Sequence, residues 1–137
     1  MICASNPQSM VTAIQGMGYK AVLTKDSGGD PQITSSASGY NYDIFFYDCK
    51  NNVNCTSVQF QIVFSKDSVN SADLANEWNS KQRLGSMHFN KEKGTLVIQY
   101  DISTVGGINQ KNFADVVSWW DSTLGEAAKF FKEHPGK

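Results

Sequence analysis

Tyr40-Asn41-Tyr42-Asp43-Ile44-Phe45-Phe46-Tyr47, a polar stretch from Asp48 to Thr56, then Ser57-Val58-Gln59-Phe60-Gln61-Ile62-Val63-Phe64: these residues decide the fold. The second flank alternates apolar and polar side chains, the period of a strand with one buried face. The first is dense in aromatic residues, which favour strands. Between them Asp48-Cys49-Lys50-Asn51-Asn52-Val53-Asn54-Cys55-Thr56 reads as a loop. The whole predicts a β-hairpin. A hairpin brings the ends of its loop together, so Cys49 and Cys55 are placed to form a disulfide. Phe45 and Tyr47 lie on the face opposite Ile44 and Phe46, so this strand is expected to be central or covered on both sides.

Working outward, the chain alternates helix and strand signals. Asn6-Pro7 offers a cap and a first helical residue, and Met10, Ala13, Ile14 and Met17 follow on one face. Gly18 is placed to end that helix. Tyr19, Ala21 and Leu23 alternate as a strand. Asp26-Ser27-Gly28-Gly29-Asp30-Pro31 is a turn, and Gln32 to Ser38 a polar strand. After the hairpin, Asn70 is expected to cap a second helix carrying Leu74, Ala75 and Trp78 inward, with Val69 stapled to Leu74 and Gly85 as its stop. Met87 and Phe89 mark a short strand, and Leu96, Ile98, Tyr100 and Ile102 a longer one. Asn109 caps the last helix. Phe113, Val116, Val117, Trp120, Leu124, Ala128 and Phe131 form its apolar face. Trp119 and Phe130 lie on a second stripe beside it. The order is α-β-β-β-β-α-β-β-α. Short turns between neighbouring strands imply antiparallel pairing, with the helices on one face of an α+β fold.

The 137 residues show no internal repeat, linker or low-complexity segment, so residues 1–137 are read as one domain, with residues 1–5 a mobile terminus. A net charge of −1 and the lack of any Lys/Arg cluster give no electrostatic basis for binding nucleic acid or an anionic membrane. The apolar runs are too short for membrane insertion. Met1-Ile2-Cys3-Ala4-Ser5 has the character of neither a signal nor a transit peptide. A disulfide persists only in an oxidising compartment, which predicts a periplasmic or secreted protein that has lost its signal. Of the three cysteines Cys3 is left over, to be free or to pair between chains. Free thiols at Cys49 and Cys55 remain the alternative. Zinc would need four ligands, and no second cysteine pair exists.

Catalysis has little to draw on. No nucleophile-elbow spacing occurs. The Asp26–Asp30 turn lacks the register and terminal Glu of a calcium loop, and Gly28-Gly29 does not lead into a helix as a phosphate cradle would. His88 and His134 are isolated. Neither a cofactor nor a metal is expected. Two polar-aromatic groups remain. Trp78, Asn79 and Arg83 could tie a helix end to its neighbours, or form a polar rim around an aromatic anchor, the composition of a binding hot spot. Trp119 and Phe130 could pack inside, or form an exposed patch for a partner or a second copy.

Several stretches taken in order resemble the YbjN family of bacterial proteins, described as sensory transduction regulators. They are Gly18-Tyr19-Lys20-Ala21 after the opening helix, Asp30-Pro31-Gln32-Ile33, Ile44-Phe45-Phe46-Tyr47 with Cys49 and Cys55, Asn76-Glu77-Trp78-Asn79 running to Arg83, and Gly107 leading to Trp119-Trp120. The exported, cysteine-bearing members are the most similar. The resemblance implies an antiparallel sheet with helices packed on it, similar to type III secretion chaperones. It implies no catalytic residues, and a regulatory or protein-binding role. The leading expectation is therefore a non-enzymatic envelope protein that binds a protein or peptide, with a homodimer as one form of partner. The rivals are a small-ligand binder with a pocket between the sheet and the long helix, and a hydrolase assembled from distant residues.

Overall fold

The computed structural model describes residues 1–136. Its elements are α1 (Pro7–Gly16), β1 (Ala21–Lys25), β2 (Pro31–Ala37), β3 (Tyr40–Tyr47), β4 (Ser57–Phe64), α2 (Ala72–Lys81), β5 (Ser86–Asn90), β6 (Thr95–Ser103) and α3 (Gln110–Glu133). All strands pair antiparallel in one six-stranded sheet of order β1-β2-β3-β4-β6-β5. The α+β class and the element order are those expected. β5 is an outer strand and β6 inserts between it and β4, because β6 alone is long enough to pair along the whole of β4.

Period-two alternation puts one face of the sheet inside. Ile33, Tyr42, Ile44, Phe46, Val58, Phe60, Ile62, Leu96 and Ile98 are all buried. The helices cover this face. Trp120 of α3 sits on Tyr42 and Phe60, with ring centroids 5.6 Å away in each case. The opposite face bears no helix and mixes polar residues with Val22, Phe45, Tyr47, Val63 and Val97. There Asp43 accepts from Gln32 and Thr34, and Asp101 from Gln59. β3 is thus central, while Phe45 is half-buried and Tyr47 exposed on the open face.

Local chemistry explains the turns. Ser38 and Gly39 both have positive φ, +52° and +82°, as a two-residue hairpin loop of matching twist requires. In the β3–β4 loop Asp48, Asn51, Asn52 and Asn54 are all left-handed, which accounts for the asparagines, since their short polar side chains tolerate that region. Cys49 and Cys55 close the loop with an S–S bond of 2.04 Å.

Three boundaries differ from the expectation. Asn109 caps α3 by accepting from Asn112 N–H at 2.7 Å, but α2 is capped by Ser71, which accepts from Leu74 N–H at 3.0 Å. Asn70 instead donates to the carbonyls of Ser65 and Gly94, closing the loop before the helix. Asn6 makes no side-chain cap; Pro7 alone starts α1. Residues 1–5 are not loose. Ile2 exchanges backbone hydrogen bonds with Ile108, and Ile2 and Ala4 are buried. Two apolar side chains and an extended backbone pair hold a terminus whose sequence gives no such signal.

Three tyrosines resist ionisation, Tyr47 through burial and the charges of Asp101 and Asp26, and Tyr19 and Tyr42 most strongly. Tyr19 donates to Asp121 at 2.5 Å, and this bond, followed by burial and the carboxylate's charge, pushes its phenol up to about 12. Burial pushes Tyr42 up to about 12 as well. A raised folded-state value means the unfolded chain releases its proton first. The stabilisation is therefore complete below pH 10, the ordinary value, and is lost as pH rises through about 12. Absorbance at 295 nm is expected to show Tyr19 and Tyr42 ionising last of the five tyrosines, with stability declining in that window. Five phenols ionising together near pH 10 in the folded protein would contradict this.

Candidate functional site

α2 is locked to β5 by two side chains. Trp78 is fully buried; its indole N–H donates to Gly85 O at 2.8 Å and its ring meets Phe130 edge-on at 5.4 Å. Asn79 accepts from Met87 N–H at 2.8 Å and donates to Met87 O at 2.9 Å. Its amide thus serves the outer edge of β5 as a neighbouring strand would. Trp78 is therefore held within the α2–β5 junction, whereas Asn79 is bonded to Met87 yet remains exposed.

Gly85 turns the chain between α2 and β5. Its φ is +74°, and a Cβ there would lie 2.9 Å from Thr123 Cγ2 and 3.1 Å from Ile98 Cγ2. The backbone is drawn under the sheet edge toward α3 and straightens into β5 only at Ser86.

Arg83 and Trp119 meet at the surface. The guanidinium carbon lies 5.6 Å from the Trp119 ring centroid, in cation–π geometry. Trp119 remains 40% exposed, while Phe130 is buried against Trp78. The expected stripe of Trp119 and Phe130 is split, because α3 is covered by different neighbours along its length. Near Trp119 it borders the sheet margin; near Phe130 it lies beneath α2. The same change of cover buries Ala127 and Phe130 rather than Ala128, and leaves Phe131 half-buried against Phe64 at 4.6 Å.

Trp119 stands between two depressions. One, of about 410 Å³, runs between β6 and α3 and is lined by Tyr100, Ile102, Ile108, Asn112, Asp115 and Val116. The other, of about 220 Å³, is bounded by Arg83, Leu84, Ser122 and Glu126. The middle of the sheet–α3 interface is filled by Tyr42, Phe60 and Trp120, so open space lies at the margin. His88 is exposed on the open face of β5, and His134 lies 3.6 Å from Glu77. Among the described residues no group of three or more His, Cys, Asp or Glu side chains is gathered as a metal would need.

Sequence reading missed how Asp121 joins three elements. It accepts from Tyr19 before β1 and from Ser38 in the β2–β3 turn. Each partner is a common polar residue, and only the fold brings them within reach.

An antiparallel sheet with helices on one face defines an α+β fold, and Trp119 and Arg83 lie at its margin. The chain belongs to the YbjN family, "Putative bacterial sensory transduction regulator", whose model matches residues 6–133. Among solved structures the crystal structure of YbjN from E. coli, "a putative transcription regulator", superposes with a TM-score of 0.74, covering 99% of this chain and 97% of that one at 11% identity. At that identity the likeness speaks for the fold. No match is found among curated proteins.

Proposed function

We propose that this protein is a non-enzymatic regulator of the bacterial envelope that acts by binding a protein or peptide through the surface centred on Trp119. One observation carries the reading. A large aromatic side chain stays exposed beneath an arginine, between two grooves, in a domain whose other two tryptophans are buried. Tryptophan and arginine dominate the energetics of protein interfaces. The regulatory description of the family agrees with a binding role. The Cys49–Cys55 disulfide supports an oxidising compartment, where it would persist. No helix among the described residues is long and apolar enough to cross a membrane. A net charge of −1 gives no general electrostatic basis for DNA affinity, which favours a protein partner.

Trp119→Ala tests the reading. Trp119 is partly solvent-exposed, so the variant should fold with a stability change within about 1 kcal/mol. Cross-linking in envelope extract should then show loss of the protein captured by wild type, with affinity reduced roughly tenfold or more. Unchanged capture by the folded variant would overturn the proposal. Light scattering over a dilution series distinguishes a homodimer from a foreign partner.

A further inference from the structure

We infer that the groove beside Trp119 receives an extended, basic peptide segment that adds to the sheet as a strand alongside β6. This rests on the binding role just proposed and specifies the partner and its mode of docking. β6 runs to Ser103 and pairs with β4 along Leu96–Ser103, whereas β5 covers only Thr95–Gln99. On the β5 side, residues 100–103 therefore lack a strand neighbour among the described residues. The cause is Gly85, whose left-handed turn draws the chain inward just where it would have lain opposite Tyr100.

Alternate residues of a strand direct their backbone groups to opposite sides. Thr104 N–H donates to Thr56 O on the β4 side at 2.9 Å, so Asp101 and Ser103 turn their N–H and C=O groups to the open side. Such groups are the template on which an extended peptide adds to a sheet. A residue of the added strand opposite Ile102 would point inward, into the groove of about 410 Å³ walled by Ile102, Val116 and Trp119. That position calls for an apolar side chain. Residues on either side would point outward onto the open face, one opposite and one diagonal to the exposed Asp101. The partner pattern is thus basic-apolar-basic.

Charge also chooses between occupants. Two copies joined antiparallel through this edge would bring the Asp101 carboxylates of both close together on the open face. Like charges at that spacing oppose pairing. A basic segment neutralises them.

The test uses the full chain and an acetylated, amidated peptide of alternating lysine and valine, with a glutamate-for-lysine analogue as control. Binding of the lysine peptide should saturate, weaken with salt, and shift and protect from exchange the amides of Asp101 and Ser103 in two-dimensional NMR. The glutamate analogue should bind at least roughly tenfold more weakly. Ser103→Pro removes an N–H that the fold does not use, at an edge position where proline is tolerated, and should weaken binding to a similar degree with helix and sheet content unchanged. If this variant does not fold, exchange protection in the wild type still decides. Absence of saturable binding, equal binding of both peptides, or concentration-dependent dimerisation that protects the same amides would each overturn strand addition. Binding that shifts Trp119 but leaves Asp101 and Ser103 unprotected would overturn it too, while leaving the Trp119 surface as the site.

Discussion

Trp78→Ala is expected to destabilise the protein by about 3–5 kcal/mol, the range for truncating a fully buried large aromatic side chain. Three losses combine at this position. The ring is wholly removed from solvent, so its deletion leaves a cavity against Phe130. The indole N–H is the partner of Gly85 O, and that carbonyl would be left without it. Gly85 is the residue whose left-handed turn directs the chain into β5, so loosening it also loosens the short outer strand. Urea titration should show a lower midpoint with little change in slope. A loss below about 1.5 kcal/mol would mean that α2 is not held to β5 through this side chain. The contrast with Trp119→Ala is the informative comparison. One tryptophan should govern stability and the other binding, although each lies near polar residues that sequence alone could assign to either role.

Breaking the Cys49–Cys55 disulfide should lower stability by about 2 kcal/mol, the loop-closure entropy for so short a ring. The loop gives this its particular form. Four non-glycine residues in it, Asp48, Asn51, Asn52 and Asn54, hold positive φ, a conformation that the free chain rarely visits. Closure of the ring keeps them there, and Lys50 and Val53 exchange backbone hydrogen bonds across it. Asn52 then reaches out to Gly28 O and Asp30, joining this loop to the β1–β2 turn. Reduction should therefore loosen both turns at that end of the sheet, seen as faster amide exchange in residues 26–30 as well as 48–56. Alkylation of the denatured, unreduced chain should label one thiol, Cys3, and all three after reduction. Three labelled thiols without reductant, in protein purified from an oxidising compartment, would remove the support for an envelope location.

Much of the fold was legible because its signals are local. The alternation of Val58, Phe60 and Ile62 names a strand and its buried face without reference to any other residue, and Asn109 capping α3 is a contact across three positions. The α2 cap was misplaced by one residue because Asn70 and Ser71 are both good caps, and the competing carbonyls of Ser65 and Gly94 lie elsewhere in the loop structure. The candidate site was read less well. Trp119 and Phe130 fall on one side of an isolated helix, and no helical periodicity states that α2 covers one and leaves the other open. Asn79 and Arg83 follow Trp78 closely, yet one pairs with β5 and the other reaches across to α3.

By itself the sequence determined the number, kind and order of the elements, the inward faces of the strands, the loop with Cys49 and Cys55 near its ends, and a charge balance unsuited to nucleic acid. These depend on periodicity, turn chemistry and composition, which act over a few residues. The tertiary structure alone decided that β6 lies between β4 and β5, that Ile2 and Ala4 are docked, that Asp121 gathers Tyr19 and Ser38, and that the end of β6 stays open beside Trp119. Each is a contact between residues far apart in the chain. Its energy depends on which surfaces the packed elements leave covered, and no local pattern records that.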